Sequence, residues 1–158
     1  MPSSAGRPPF LPLIRLLAEA YQAFEQLSTR HVRELGLTPS QFDVIVTLGN
    51  TDGMSCKTLG ARTLITKGTL TGILDRLVDK GLLQRESSAS DKRSVFVSLT
   101  PAGAALFARI FPQHLDYMSQ FFSDFSARDY AQCQQGLQRL CSALQPATSN
   151  QEEHHATE

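Results

Sequence analysis

The chain has 158 residues, 41% of them hydrophobic and 19% charged, a length for one domain with a real core and a composition that excludes disordered and collagen-like classes. Fifteen Lys and Arg balance fifteen Asp and Glu, and no run approaches the roughly 18 uninterrupted apolar residues of a membrane span. The three cysteines, Cys56, Cys133 and Cys141, are odd in number and widely spaced, which excludes a disulfide framework and the paired spacing of a zinc finger.

Residues 1–9 hold three Pro, two Ser and a Gly and read as a mobile lead. Arg7, the apolar stretch after it and Ala18-Glu19-Ala20 look like a secretory leader with a cleavage site. Pro12 and Arg15 interrupt that stretch, and the helical pattern continues past Ala20. A cytoplasmic protein with reduced thiols is therefore expected. Phe10, Leu13, Ile14, Leu17, Tyr21, Phe24, Leu27 and His31 form a 3-4 stripe, predicting a long amphipathic helix that Gly36 ends. Thr38 before Pro39 is an N-cap followed by an N1 proline. The second helix should run through Phe42, Ile45, Val46 and Leu48 to about Gly49, and Asn50-Thr51-Asp52-Gly53 should be a turn.

Ser55 is expected to cap a short third helix, about residues 56–61, that buries Leu59. Leu64 and Ile65 form a turn, and Thr66 caps a fourth helix. Leu70, Ile73, Leu74, Leu77 and Val78 make its buried stripe, and Gly81 stops it. Residues 82–86 and 95–99 read as two short strands around the polar tip 87–94. Thr100-Pro101 repeats the cap-plus-proline signal. The helix that follows is expected to bury Leu106, Phe107, Ile110, Phe111, Leu115, Met118, Phe121 and Phe122, with Pro112 kinking or splitting it. Ser126-Ala127-Arg128-Asp129 starts a last helix with a seam at Tyr130, Cys133, Leu137, Leu140 and Leu144. Residues 145–158 read as a mobile polar tail. The fold class is thus mostly α, with a small β-hairpin.

Charge is distributed unevenly beneath the zero total. Residues 51–100 carry eight Lys and Arg against five acids, a net of +3, and residues 101–158 carry three against six, a net of −3. A basic middle suits a polyanion-binding surface. A short helix, a turn, a longer helix and a hairpin make a winged helix-turn-helix. The fourth helix presents Thr66, Lys67, Gly68, Thr69 and Thr71 outward from its start. A helix N-terminus attracts phosphate, and short hydroxyl side chains reach base edges closely. Gly68 and Gly72 each cost a helix roughly 1 kcal/mol relative to alanine, which a close approach of backbone to DNA would compensate. Lys92 and Arg93 at the hairpin tip suit phosphate or a narrow minor groove. Ser55 and Arg76 complete the candidate DNA-binding set. Taken alone, the Thr and Gly face is more often just a polar helix surface; the hairpin with its basic tip tilts the reading to DNA.

Leu37-Thr38-Pro39-Ser40-Gln41-Phe42, Leu74-Asp75-Arg76-Leu77-Val78-Asp79-Lys80-Gly81-Leu82, Asp91-Lys92-Arg93-Ser94 and Leu99-Thr100-Pro101-Ala102-Gly103 together resemble the MarR family of bacterial regulators. The resemblance spans about residues 10–144. It implies a homodimer on a pseudo-palindromic double-stranded operator, with the fourth helix in the major groove and Arg93 in the minor groove. Asp91 would hold Arg93 or Arg76 by an ion pair. The sequence departs from the pattern at Gly72, where many members have arginine, so base reading would rest more on Thr66, Lys67, Thr69 and Thr71. Residues 10–36 and 101–144 are then dimerisation helices and 37–100 the winged lobe. Five phenylalanines between residues 107 and 125 are more apolar surface than a lone winged domain needs, so a second chain is the natural cover.

A sensing role has three readings. The first is a small aromatic or anionic effector in the cleft between dimer helices and lobe, where the family this chain resembles often binds a ligand; Arg15, His31 and His114 are candidates, with Tyr21, Phe42 and Tyr117 as walls. Each of these is individually more often a surface or packing residue. Cys56, after the Ser55 cap and beside Lys57, is a redox candidate, because a helix start and a cation both favour thiolate; Cys133 and Cys141 read as core. No metal is expected, since His31, His114, His154 and His155 lack ligand spacing. No cofactor and no enzyme motif is found: Gly53-Met54-Ser55-Cys56-Lys57-Thr58 has Cys56 where a phosphate loop needs glycine. A winged domain used for protein contact is the rival from another class.

Overall fold

The computed structural model describes residues 8–63, 65–87 and 95–145. Helix α1 covers Leu11–Glu34 and α2 Pro39–Leu48; strand β1, Met54–Ser55, leads into α3, Cys56–Thr63. Then come α4, Lys67–Asp79, strands β2, Leu83–Ser87, and β3, Val95–Leu99, and α5, Pro101–Ser119. A 3-10 turn over Gln120–Phe122 precedes α6, Ala127–Leu144. The chain divides into two compact units, one closing at Gln120 and the other beginning at Phe121.

Local chemistry sets the boundaries of the first unit. Thr38 accepts from the Gln41 backbone N–H at 3.2 Å while the Gln41 side chain accepts from Thr38 N–H at 3.2 Å, a reciprocal cap on α2. Gly36 and Gly81 take positive φ of 82° and 69° just past α1 and α4, the left-handed conformation that glycine adopts without steric cost. The three strands form one antiparallel sheet in the order β1-β3-β2, with Met54 opposite Val97 and Leu83 opposite Leu99. Strand β1 was not anticipated: two residues are too short for any alternation to register. The hairpin strand starts at Leu83 rather than 82.

The core of this unit collects Val32, Val44, Ile45, Leu48, Leu59, Leu74, Leu77, Val97 and Ile110, each essentially inaccessible. Burial of such a side chain is worth about 1.5–3 kcal/mol. The stripe predicted for α4 is buried at Leu70, Ile73, Leu74 and Leu77 and half-buried at Val78. The stripe predicted for α1 is not: Phe10, Leu13, Ile14, Tyr21 and Phe24 are 41–58% exposed and only Val32 of this helix is buried. In α5, Phe107 and Ile110 are buried as expected, but Leu115 is 51% exposed, and beyond it Phe121 and Phe122 are exposed too. Helix periodicity reports that an apolar face exists, not that the same chain covers it. Pro112 neither splits nor ends α5, which runs through it to Ser119.

In the second unit, Ser126 caps α6 by accepting from Asp129 N–H at 3.2 Å, while the Asp129 carboxylate accepts from Ser126 N–H at 2.8 Å. Those hydrogen bonds hold the Asp129 carboxyl below the ordinary carboxylate range. Phe122, Phe125 and Tyr130 form an aromatic knot, with Phe122 edge-on to Phe125 at 5.4 Å. The seam of α6 is uncovered in the single chain, with Leu137 53% and Leu144 60% exposed. Cys133 and Cys141, expected in the core, are exposed on it.

Candidate nucleic-acid interface

The site begins with how α4 is mounted. Its inner face is locked into the core by Leu70, Leu74 and Leu77, so its outer face has a fixed direction. Thr66, Lys67, Gly68, Thr69, Thr71, Gly72 and Arg76 are all exposed. Thr66 occupies the N-cap position with extended backbone, but its side chain makes no cap; its hydroxyl donates to Thr69 Oγ1 at 3.0 Å instead. That corrects the expected capping role. Among the described residues no side-chain cap is made at the start of α4, the end of the helix where backbone N–H groups lack intrahelical partners and the dipole is positive. Thr71 turns its hydroxyl back to the Lys67 carbonyl at 3.2 Å, which engages that hydroxyl within the helix. A Cβ added at Gly68 or at Gly72 would meet nothing within 4 Å among the described residues. The two glycines therefore leave bare helix backbone one turn apart on the open face.

The elements around α4 complete the surface. Ser55 ends β1 and caps α3, accepting from Thr58 N–H at 3.1 Å, as its position predicted. Lys57 and Arg62 of α3 are exposed. The β2–β3 register closes on the Ser87–Val95 pair. Asp91, Lys92 and Arg93, with the ion pair expected of Asp91, lie outside the described residues, as do Leu64, the lead 1–7 and residues 146–158. An ion pair that was not anticipated joins α4 to the sheet: Arg85 Nη1 donates to Asp75 Oδ1 at 2.6 Å. Its partners stand ten positions apart across a tight turn, and no periodic signal links them.

Two further seats hold the base of α5 to the end of α4. The Thr100 hydroxyl accepts from Gly103 N–H at 3.1 Å and donates to the Gly81 carbonyl at 2.6 Å. A Cβ on Gly103 would stand 2.0 Å from the Leu82 carbonyl oxygen. The Leu-Thr-Pro-Ala-Gly run thus has a mechanical reason: the threonine caps α5 and ties it to α4, and the glycine lets the helix backbone touch the turn.

The candidate effector residues separate into two groups. His31, Phe42, His114 and Tyr117 come together where α1, α2 and α5 meet: His31 stacks on Tyr117 at 4.2 Å, and Phe42 tilts against His114 at 4.6 Å. Burial, and secondly the neighbouring His31, push the His114 pKa below its ordinary value. Arg15 and Tyr21 are not part of this cluster. Arg15 pairs with Glu19 at 2.7 Å along the exposed side of α1, and Tyr21 donates to Glu25 at 2.7 Å, which raises its phenol pKa. Cys56 is half-buried at the start of α3 and packs against the core. No group of three or more His, Cys, Asp or Glu among the described residues could hold a metal ion. No helix among them is long and apolar enough to cross a membrane.

Comparison with known proteins bears on this surface. The pattern of the MarR family matches residues 35–94, which contain α2, β1, α3, α4 and β2. The transcriptional regulator MhqR of Bacillus subtilis is 29% identical over 130 residues, 82% of this chain and 90% of its own. The uncharacterized regulator YkoM of Bacillus subtilis is 32% identical over 114 residues, 72% and 74% of the two chains. The multiple antibiotic resistance protein MarR of Salmonella typhimurium is 34% identical over 96 residues, 61% and 67%. Among solved structures, a MarR family regulator of Streptomyces coelicolor in complex with DNA superposes with a TM-score of 0.78 at 25% identity, covering 87% of this chain and 89% of that one. A mutant MarR from E. coli complexed with operator DNA gives 0.73 at 28%, covering 85% and 99%. Bordetella bronchiseptica BpsR, whose DNA binding is regulated by 6-hydroxynicotinic acid, gives 0.72 at 25%, covering 82% and 98%.

Proposed function

This chain belongs to the MarR family of winged-helix, DNA-binding transcriptional regulators and is not an enzyme, and from that premise we propose that it works as a cytoplasmic homodimer, a repressor whose two copies of α4 enter a pseudo-palindromic duplex and which a small molecule releases. The observation that carries the reading is the outer face of α4. Thr66, Lys67, Gly68, Thr69 and Thr71 stand exposed over a helix whose other side is wholly committed to the core. Thr69 and the Thr71 methyl meet base edges; Lys67, Ser55 and the open N–H groups of the first turn meet phosphates. Arg76 and Lys92 add phosphate contacts. Arg93 enters the minor groove, with Asp91 steadying it. With no side chain at Gly72, the helix lies closer to the groove floor than an arginine there would allow.

The uncovered apolar residues of α1 and its N-cap, Phe10, Leu13, Ile14 and Phe24, and separately those of α6, Leu137 and Leu144, support the dimer. Two lobes joined in this way meet half-sites about one helical turn apart. Release by a small molecule rests on the likeness to BpsR. Ligand would favour the dimer geometry whose lobes no longer match that spacing, a population shift. Footprinting on the duplex upstream of the protein's own gene tests the core of the proposal. Protection of two half-sites is expected, with affinity falling steeply as salt rises because counterions are released. Arg93→Ala should weaken binding and leave the dimer intact. No protection at low salt overturns the proposal.

A further inference from the structure

Two imidazoles meet through their ring nitrogens where three helices converge. His31 of α1 and His114 of α5 approach Nδ1 to Nδ1 at 3.0 Å. His114 is 7% exposed, and its other nitrogen lies 3.4 Å from the Ser28 hydroxyl of α1. Phe42 from α2 closes one side, and Tyr117, one turn along α5, lies flat on His31 with planes 5° apart. Like nitrogens at this distance need one hydrogen and one lone pair between them. The neutral pair meets that need. So does the pair with one added proton, because an imidazolium N–H still points at an imidazole lone pair. A second added proton sets two N–H groups against each other in a site with little room to turn.

We propose that the His31–His114 contact is a proton-operated latch, closed on α1 and α5 with up to one added proton and forced open by the second, which loosens the seat of α2 through Phe42. The charged groups on the same helices do not quench it. Arg30 of α1 reaches Glu34 at 3.6 Å on the exposed side, and Arg33 of α1 and Asp116 of α5 are exposed. Asp43, next to Phe42 on α2, is half-buried, and desolvation holds its carboxyl above the ordinary range. Tyr117 supplies a phenol. Among the described residues no carboxylate bonds to either ring. The depressed proton affinity of His114 has the sign the latch requires. A base whose folded pKa lies below its unfolded one stabilises fully above the unfolded value, 6.5 for an ordinary histidine; it loses that stability as pH falls toward the folded value.

Nuclear magnetic resonance of the full chain, with the imidazoles labelled and assigned by single substitutions, reads the latch directly. The pair should titrate in two separated steps, the second well below the ordinary histidine range; a single shared step at the ordinary value overturns the proposal. Urea unfolding at fixed protein concentration reads the linkage. The unfolding equilibrium of the wild type should move toward the unfolded state as pH falls below about 6.5, by at most tenfold per pH unit for each linked proton. His114→Phe, which keeps an aromatic ring, should lose that slope and Asp43→Asn should retain it. The reverse result overturns the latch; should His114→Phe not fold, His31→Phe takes its place, with the remaining His114 step expected to move upward. Duplex affinity on acidification rests on the DNA reading and is a separate arm: it should fall in wild type and not in His114→Phe. A wild type that opens by resonance yet binds duplex equally at every pH overturns the coupling to DNA, and one that binds no duplex at any pH overturns the DNA reading itself, with the latch judged on the first two measurements.

Discussion

Gly103 shows how one missing side chain can govern a junction. Replacing it with alanine would gain roughly 1 kcal/mol of helix propensity. The added methyl would stand 2.0 Å from the Leu82 carbonyl oxygen, a backbone atom that cannot rotate aside. Overpacking costs about 1–3 kcal/mol, and an immobile neighbour puts this site at the upper end. Gly103→Ala should therefore lower the urea-unfolding free energy by about 2 kcal/mol; an unchanged midpoint would show that the helix slides away at no cost. On α4 the same reasoning separates two kinds of contact. Lys67→Ala should weaken binding to all duplexes alike and reduce the salt slope by about 1. Thr69→Ala should alter preference among operator variants with little change in slope. A fluorescence titration across sequences and salt concentrations distinguishes them.

Elements differed in how fully they could be read from the sequence alone. The spacing at Leu70, Ile73, Leu74 and Leu77 locates α4 because those side chains are buried by their own chain. The spacing at Phe10, Leu13, Ile14 and Phe24 is equally regular, yet that face is open in the single chain; a period cannot say what it will meet. Strand β1 is two residues long and carries no pattern at all, although it borders the sheet. His31 and His114 stand 83 positions apart, and each looks like a lone polar residue until the fold joins them. The open face of α1 belongs to an element-scale prediction. Phe24→Glu places a charge in the expected interface, and sedimentation at micromolar concentration should show the monomer fraction rise by at least tenfold. Helix content by circular dichroism should change little, because Phe24 is 50% exposed in the chain by itself. An unchanged sedimentation profile would remove Phe24 from the interface.

At the scale of the whole molecule, the basic middle of the sequence and its acidic final third allow a neutral protein to bind a polyanion with one surface only. The residues proposed to face DNA and the core beneath them come from the same short segment, so motif and periodicity could place both on one helix. The residues proposed for effector sensing are spread over helices distant in sequence, so the meeting of His31, Phe42, His114 and Tyr117 became legible only from the fold. The clasp of Thr100 and Gly103 on Gly81 and Leu82 carries a mechanical consequence. It welds the foot of α5 to the tail of α4, while about three turns further along α5 stands His114. The proposed recognition helix is thereby coupled to α5, so that its tilt should follow the lean of that longer rod. For the proposed dimer, the separation of half-sites on a preferred operator is then a ruler for the lean of α5, and a duplex lengthened by one base pair would reveal how far the rod can flex.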